Sequence, residues 1–170
     1  MISNLISLSR IFLIFPIIFF IAINHLYLAI LFFILAAFTD FLDGFMARYL
    51  KQESVLGANL DLLADKIFVS SLLIFISFHF DNLIFLVMTI LIIAREISIG
   101  IIRQHLLETN KENKAKVNFL GKFKTFFQIL TIGLAIIFLD SNLAQIVEVV
   151  VVITAVLSWL SLLNYSYAKS

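Results

Sequence analysis

The sequence predicts an all-α integral membrane protein, with six transmembrane helices around a polar cavity open to the cytoplasmic side. Three observations carry that prediction. Hydrophobic residues make up 62% of the 170 residues and the mean hydropathy is +1.11, whereas a soluble domain is nearer half apolar. Six apolar runs follow one another along the chain. All 12 Lys and Arg fall in segments that share one side of a six-span arrangement.

The first apolar run, residues 11–23, follows Arg10 as the core of a signal peptide would. No small-x-small cleavage site comes after it, and a new run starts at Leu26, so it reads as a retained first helix. The second run, 26–38, continues into the polar stretch 40–48. The third, 67–78, is preceded by 57–66, and the fourth, 83–94, continues into 95–103. The fifth, 126–139, is preceded by 121–125; the sixth, 149–163, has no such polar extension. Most runs fall short of the roughly 20 residues needed to cross a bilayer. A polar stretch must complete each helix, and for the first five it lies at the same end of the bundle. Polar half-helices at one level predict a wet cavity opening to one side.

The basic residues set the sidedness. With a cytoplasmic N-terminus, the inner segments are 1–10, 40–66, 95–125 and 168–170. They hold Arg10, Arg48, Lys51, Lys66, Arg95, Arg103, Lys111, Lys114, Lys116, Lys122, Lys124 and Lys169, and the outer loops near His25, His79 and Ser141 hold no Lys or Arg. The cavity is thereby expected to face the cytoplasm. Residues 104–118 read as a solvated loop near anionic headgroups. Cys is absent, which excludes a disulfide framework and a thiolate metal site. The three His are dispersed, which argues against a His site. Lipid-facing packing accounts for the 19 Phe. Gly100 and Gly133 read as close-packing positions, and residues 1–170 as one domain.

The chemistry is concentrated in one string: Asp40-x-x-Asp43-Gly44-x-x-Ala47-Arg48, eight residues, then Gly57-x-x-x-Asp61-x-x-x-Asp65. Offsets of three and four place side chains on one face of a helix. Two consecutive helices thus each present a carboxylate pair across a short connection. Four clustered carboxylates near a membrane repel one another and resist dehydration. Hard divalent cations with oxygen ligands are the natural neutralising partners, and two ions about 4 Å apart suit the count. Gly44, Ala47 and Gly57 are small where a bulky side chain would bar a ligand from the backbone. Arg48 offers a planar donor fork to phosphate oxygens. Arg48 and Lys66 also have a plainer reading as interfacial side chains, and Arg95 with Glu96 as a topological or local pair.

The string resembles the signature of the CDP-alcohol phosphotransferases, integral membrane enzymes of phospholipid synthesis. All eight identities and both gaps are met; at roughly 5% usage per residue type, chance agreement is on the order of 10⁻¹⁰ per start position. Three further stretches are similar to the bacterial branch that uses glycerol 3-phosphate as acceptor. These are Asn4-Leu5-Ile6-Ser7-Leu8-Ser9-Arg10, with Ile6 and Ser7 a mild departure; Ala94-Arg95-Glu96 with Arg103; and Gly121-Lys122-Phe123-Lys124-Thr125-Phe126-Phe127-Gln128. Together they extend the likeness to about Leu139, and the last helix adds little.

The resemblance implies transfer of a phosphatidyl group from CDP-diacylglycerol to glycerol 3-phosphate, with CMP released. It implies two divalent cations, Mg²⁺ or Mn²⁺, held by Asp40, Asp43 and Asp61, with Asp65 contributing. It implies Asp65 as the base and Gly44, Ala47, Arg48 and Gly57 along the CDP site. It also implies a homodimer in a bacterial cytoplasmic membrane, with no nucleic-acid partner. The acceptor's own phosphate needs a basic pocket apart from the aspartates, for which Arg95, Arg103, Lys122, Lys124 and Arg10 lie on the correct side. Other acceptors (serine, an inositol phosphate, another phosphatidylglycerol) remain alternatives within the family. A divalent-cation transporter is the alternative from another class, weakened by the lack of polar residues in the outer halves.

Overall fold

The computed structural model describes the backbone of residues 2–50, 55–108, 119–141 and 143–167, and the side chains of residues 9–39, 62–102, 121, 123–141 and 143–163. The described residues form six α-helices and no strand: α1 (Ile2–Ala22), α2 (Leu26–Leu50), α3 (Val55–Phe80), α4 (Leu83–Glu108), α5 (Phe119–Ile137) and α6 (Ala144–Tyr167). A helix satisfies every interior backbone N–H and C=O within its own segment, which is what an apolar environment demands. Pro16 is accommodated inside α1.

Three short connections close one end of the bundle, each with its own backbone chemistry. Between α1 and α2, Asn24 adopts a φ of 59°. Its N–H donates to Ile21 O at 3.0 Å, and the His25 N–H donates to Phe20 O at 2.8 Å. This is a Schellman closure with Asn at the left-handed position that Gly more often fills. Between α3 and α4, Asp81 has a φ of 42°, and Asn82 caps α4: its Oδ1 accepts from the N–H groups of Ile84 at 2.8 Å and Phe85 at 3.2 Å. Asn82 Nδ2 also donates to Glu148 Oε1 at 2.6 Å, tying this turn to α6. Between α5 and α6, Ser141 N–H donates to Phe138 O at 3.2 Å and Ser141 Oγ accepts from Leu143 N–H at 3.2 Å.

Helix α1 packs on α2 and α3, α4 on α3 and α6, and α5 on α2, α3 and α6. The core is aliphatic and aromatic, with Ile17, Leu72, Leu73, Ile76, Phe85, Ile136 and Val147 fully buried. Phe12, Phe15, Phe19, Tyr27 and Phe78 point outward. An apolar exterior of this kind is covered by lipid, so packing and dispersion, rather than expulsion of water, hold the helices together.

Helices α3, α4 and α6 contain stretches long and apolar enough to cross a membrane: Leu62–Phe80, Leu83–Ile102 and Ala144–Leu163. Among the described residues, α1, α2 and α5 contribute the apolar stretches Ser9–Ala22, Leu26–Thr39 and Phe123–Ile137. Helix boundaries differ from the apolar runs. Helix α4 continues to Glu108, so residues 104–108, expected in a loop, are helical. Leu106, Leu107 and Glu108 are strong helix formers, and a helix can outrun the membrane that anchors it. The two interior glycines also separate. A Cβ on Gly133 would meet the Phe33 ring at 3.4 Å, which is close helix packing. A Cβ on Gly100 would collide with the Lys66 ammonium, so the gap there houses a charge.

Candidate active site

A cavity of about 210 Å³ lies away from the three short turns, and all six helices line it. Its polar walls come from Arg10 on α1, Asp65 and Lys66 on α3, Arg95 and Glu96 on α4, Lys124 and Gln128 on α5, and Ser161 on α6. Ala36 and Ala37 on α2 and Gly121 on α5 leave room between them.

Two carboxylates organise the charge. Asp65 Oδ1 accepts from Arg10 Nη1; the Arg10 side chain is 2% exposed and that of Asp65 43%. A guanidinium this deep needs a counter-charge, and Asp65 supplies one while keeping part of its surface on the cavity. Glu96 is the second centre. Its Oε1 accepts from Lys124 Nζ at 2.5 Å, Arg95 Nη1 at 3.0 Å and Gln128 Nε2 at 3.2 Å. Lys124 and Gln128 are four residues apart, on one face of α5. Arg95 reaches further into α6: its Nε donates to Ser158 O at 2.9 Å and its Nη2 to Ser161 Oγ at 3.0 Å. Beneath this network, Thr131 and Thr154 pair their hydroxyls at 2.7 Å, extending the polar seam between α5 and α6.

Of the residues singled out from sequence, Arg10, Asp65, Arg95 and Lys124 line this one cavity. The side chains of Asp40, Asp43, Gly44, Ala47, Arg48, Gly57, Asp61, Arg103 and Lys122 lie outside the described residues; their backbones belong to α2, α3, α4 and α5. Lys66 lines the cavity too. Glu96 was visible in the sequence only as a partner for topology or local pairing, and its place among three donors was not. A carboxylate inside an otherwise apolar span was the available signal. Ser158 and Ser161, on the helix to which the sequence assigned no role, gave no signal, because small hydroxyl residues are common in membrane helices.

The expected divalent cations can be tested against the donor set. Among the described residues no three His, Cys, Asp or Glu side chains cluster, and Asp65 is the only one of the four aspartates whose side chain is described. Asp65 nevertheless takes a cationic partner, Arg10. The four-aspartate string provides oxygen ligands only, the set that Mg²⁺ and Mn²⁺ prefer. The residues therefore fit the ions.

Known proteins resemble this chain along most of its length. The profile of the family described as CDP-alcohol phosphatidyltransferase matches residues 1–160. Three bacterial relatives bear the name CDP-diacylglycerol–glycerol-3-phosphate 3-phosphatidyltransferase. The protein of Sodalis glossinidius is 36% identical over 138 residues, 81% of this chain and 76% of the relative. That of Wigglesworthia glossinidia brevipalpis is 35% identical over 85% of this chain and 79% of its own length. That of Haemophilus influenzae is 34% identical over 82% and 75%. The aspartate string, the cation-lined cavity and the match along nearly the whole chain have one reading: this chain belongs to the CDP-alcohol phosphatidyltransferase family.

Proposed function

We propose that the chain transfers the phosphatidyl group of CDP-diacylglycerol to glycerol 3-phosphate, yielding phosphatidylglycerol phosphate and CMP. The observation that carries this reading is a single cavity holding both a half-exposed aspartate, Asp65, and a buried cationic cradle, Arg95 and Lys124. A phosphorylated acceptor needs both: a base for its hydroxyl and a positive site for its phosphate. The names borne by the bacterial relatives support the same donor and acceptor.

In this reading Asp65 takes the proton of the acceptor's 1-hydroxyl. The hydroxyl oxygen bonds to the lipid-side phosphorus, the bond from that phosphorus to the oxygen of CMP breaks, and CMP leaves. Asp40, Asp43, Asp61 and Asp65 would hold two divalent cations, Mg²⁺ or Mn²⁺. Such ions would supply the positive charge that offsets the pyrophosphate and the leaving group. Gly44, Ala47 and Gly57 let the nucleotide approach the backbone, and Arg48 forks onto its phosphates. Arg95, Lys124, Arg103, Lys122 and Arg10 receive the acceptor phosphate. All six helices cross the membrane as one domain, with the N-terminus and cavity cytoplasmic, and the protein works as a homodimer. The donor's acyl chains stay in lipid throughout, so the cavity is reached laterally.

Purified protein supplied with CDP-diacylglycerol, Mg²⁺ and a panel of acceptors tests the proposal. CMP release with glycerol 3-phosphate, but not with serine or inositol phosphate, is expected. Release with another acceptor alone overturns it.

A further inference from the structure

We infer that Glu96 and Ser161 are positioning residues that make Arg95 a preformed receptor for a phosphomonoester dianion; the inference rests on the acceptor reading above. An arginine carries five N–H donors. Arg95 spends one on Ser158 O, one on Glu96 Oε1 and one on Ser161 Oγ. Among the described residues this leaves two N–H donors, one on each terminal nitrogen, on a side chain that lines the cavity and is 5% exposed. Two such donors on one guanidinium can bind two oxygens of one phosphate. Because Nε, Nη1 and Nη2 are each tied down, the guanidinium plane is fixed before a ligand arrives. The usual cost of ordering a long side chain on binding is therefore already met.

Glu96 has a second effect through charge. The described charged residues lining the cavity are Arg10, Lys66, Arg95 and Lys124 against Asp65 and Glu96. Four positive and two negative charges leave +2, the complement of a phosphomonoester dianion. Glu96 also holds Lys124, a flexible point charge, at 2.5 Å. It thereby sets both the direction of Arg95 and the charge of the pocket. Helix α6 enters the site through Ser161, whose hydroxyl fixes the second terminal nitrogen from the far side.

The test uses the full-length protein in detergent with CDP-diacylglycerol and Mg²⁺. Ser161→Ala and Glu96→Gln are compared with wild type for kcat and for the KM of each substrate. The Ki of inorganic phosphate, as a competitor of the acceptor, is measured alongside. Ser161→Ala is expected to raise the glycerol 3-phosphate KM roughly tenfold, the scale of one hydrogen bond to a charged group. The phosphate Ki rises in parallel, while kcat at saturating acceptor and the donor KM stay within about twofold. Glu96→Gln keeps the shape but removes the charge; the looser hold on Arg95 and Lys124 is expected to outweigh the added positive charge, so the acceptor KM and the phosphate Ki again rise. Should Glu96→Gln fail to fold, Ser161→Ala decides alone. An unchanged acceptor KM and phosphate Ki in Ser161→Ala overturns the inference, as does an equal rise in both substrate KM values. If wild-type protein releases no CMP with glycerol 3-phosphate, the acceptor reading itself has failed, a separately visible result.

Discussion

The two ends of this bundle are built on opposite principles. At the turn end, three short connections close the helices with backbone hydrogen bonds, the left-handed backbone of Asn24 and the side-chain cap of Asn82. Beneath them lie fully buried apolar side chains, among them Ile17, Ile76, Phe85 and Val147. At the cavity end, Arg10, Arg95, Glu96 and Lys124 are buried as well, but as ions. Burying ions costs free energy that apolar packing would not. A chain under selection for stability alone would have filled that space with Leu and Phe. The contrast teaches that one half holds the helices in register while the other bears the electrostatic cost of handling phosphate.

Truncation at the turn end should damage stability without touching chemistry. Phe85 is fully buried and stacks on Phe80 with ring centroids 5.0 Å apart. Phe85→Ala should cost about 3 kcal/mol through lost contacts and a residual cavity. Thermal unfolding in detergent reads the loss, and both substrate KM values should hold in the fraction that remains folded. A rise in acceptor KM would mean that the two ends are mechanically coupled, against the division drawn above.

Truncation at the cavity end should do the reverse. Arg95→Ala removes the fixed fork and is expected to raise the glycerol 3-phosphate KM roughly 100-fold, as loss of a two-pronged charged contact would. The CDP-diacylglycerol KM should change less than about threefold. Equal effects on both substrates would move Arg95 to the donor's side of the site.

The smallest effect distinguishes capping from chemistry. Asn82→Ala removes the cap of α4 together with the bond to Glu148. About 1 kcal/mol of stability should be lost, with no kinetic change. A shift well above that, read by thermal unfolding, would assign the Asn82–Glu148 contact a larger share of the turn end's strength.

How much of this was legible in the sequence follows the same division. The helix count was legible, because apolar runs separated by Asn, Asp and Ser advertise themselves. The aspartate string was legible, because carboxylates are conspicuous in a chain that is 62% hydrophobic. The grouping of Arg95 with Lys124 could be guessed from sidedness. The role of Glu96 could not, since it depends on side chains of α4 and α5 meeting across the cavity, and no local spacing encodes that. Ser161 was still less visible: a hydroxyl on a helix with no basic residue acquires meaning only when Arg95 is found 3.0 Å away. Helix ends were misjudged for a simpler reason. Hydropathy marks where a run stops being apolar, whereas a helix stops where its propensity and hydrogen bonds do, which for α4 is Glu108.

The most direct test of the central claim, that the charged end performs phosphatidyl transfer with Asp65 as its base, is CMP release by Asp65→Asn beside wild type at saturating glycerol 3-phosphate. The substitution keeps the size of the side chain and removes its proton affinity. Turnover should fall roughly 10³-fold while binding of CDP-diacylglycerol is largely retained. Turnover within a few-fold of wild type would contradict the account.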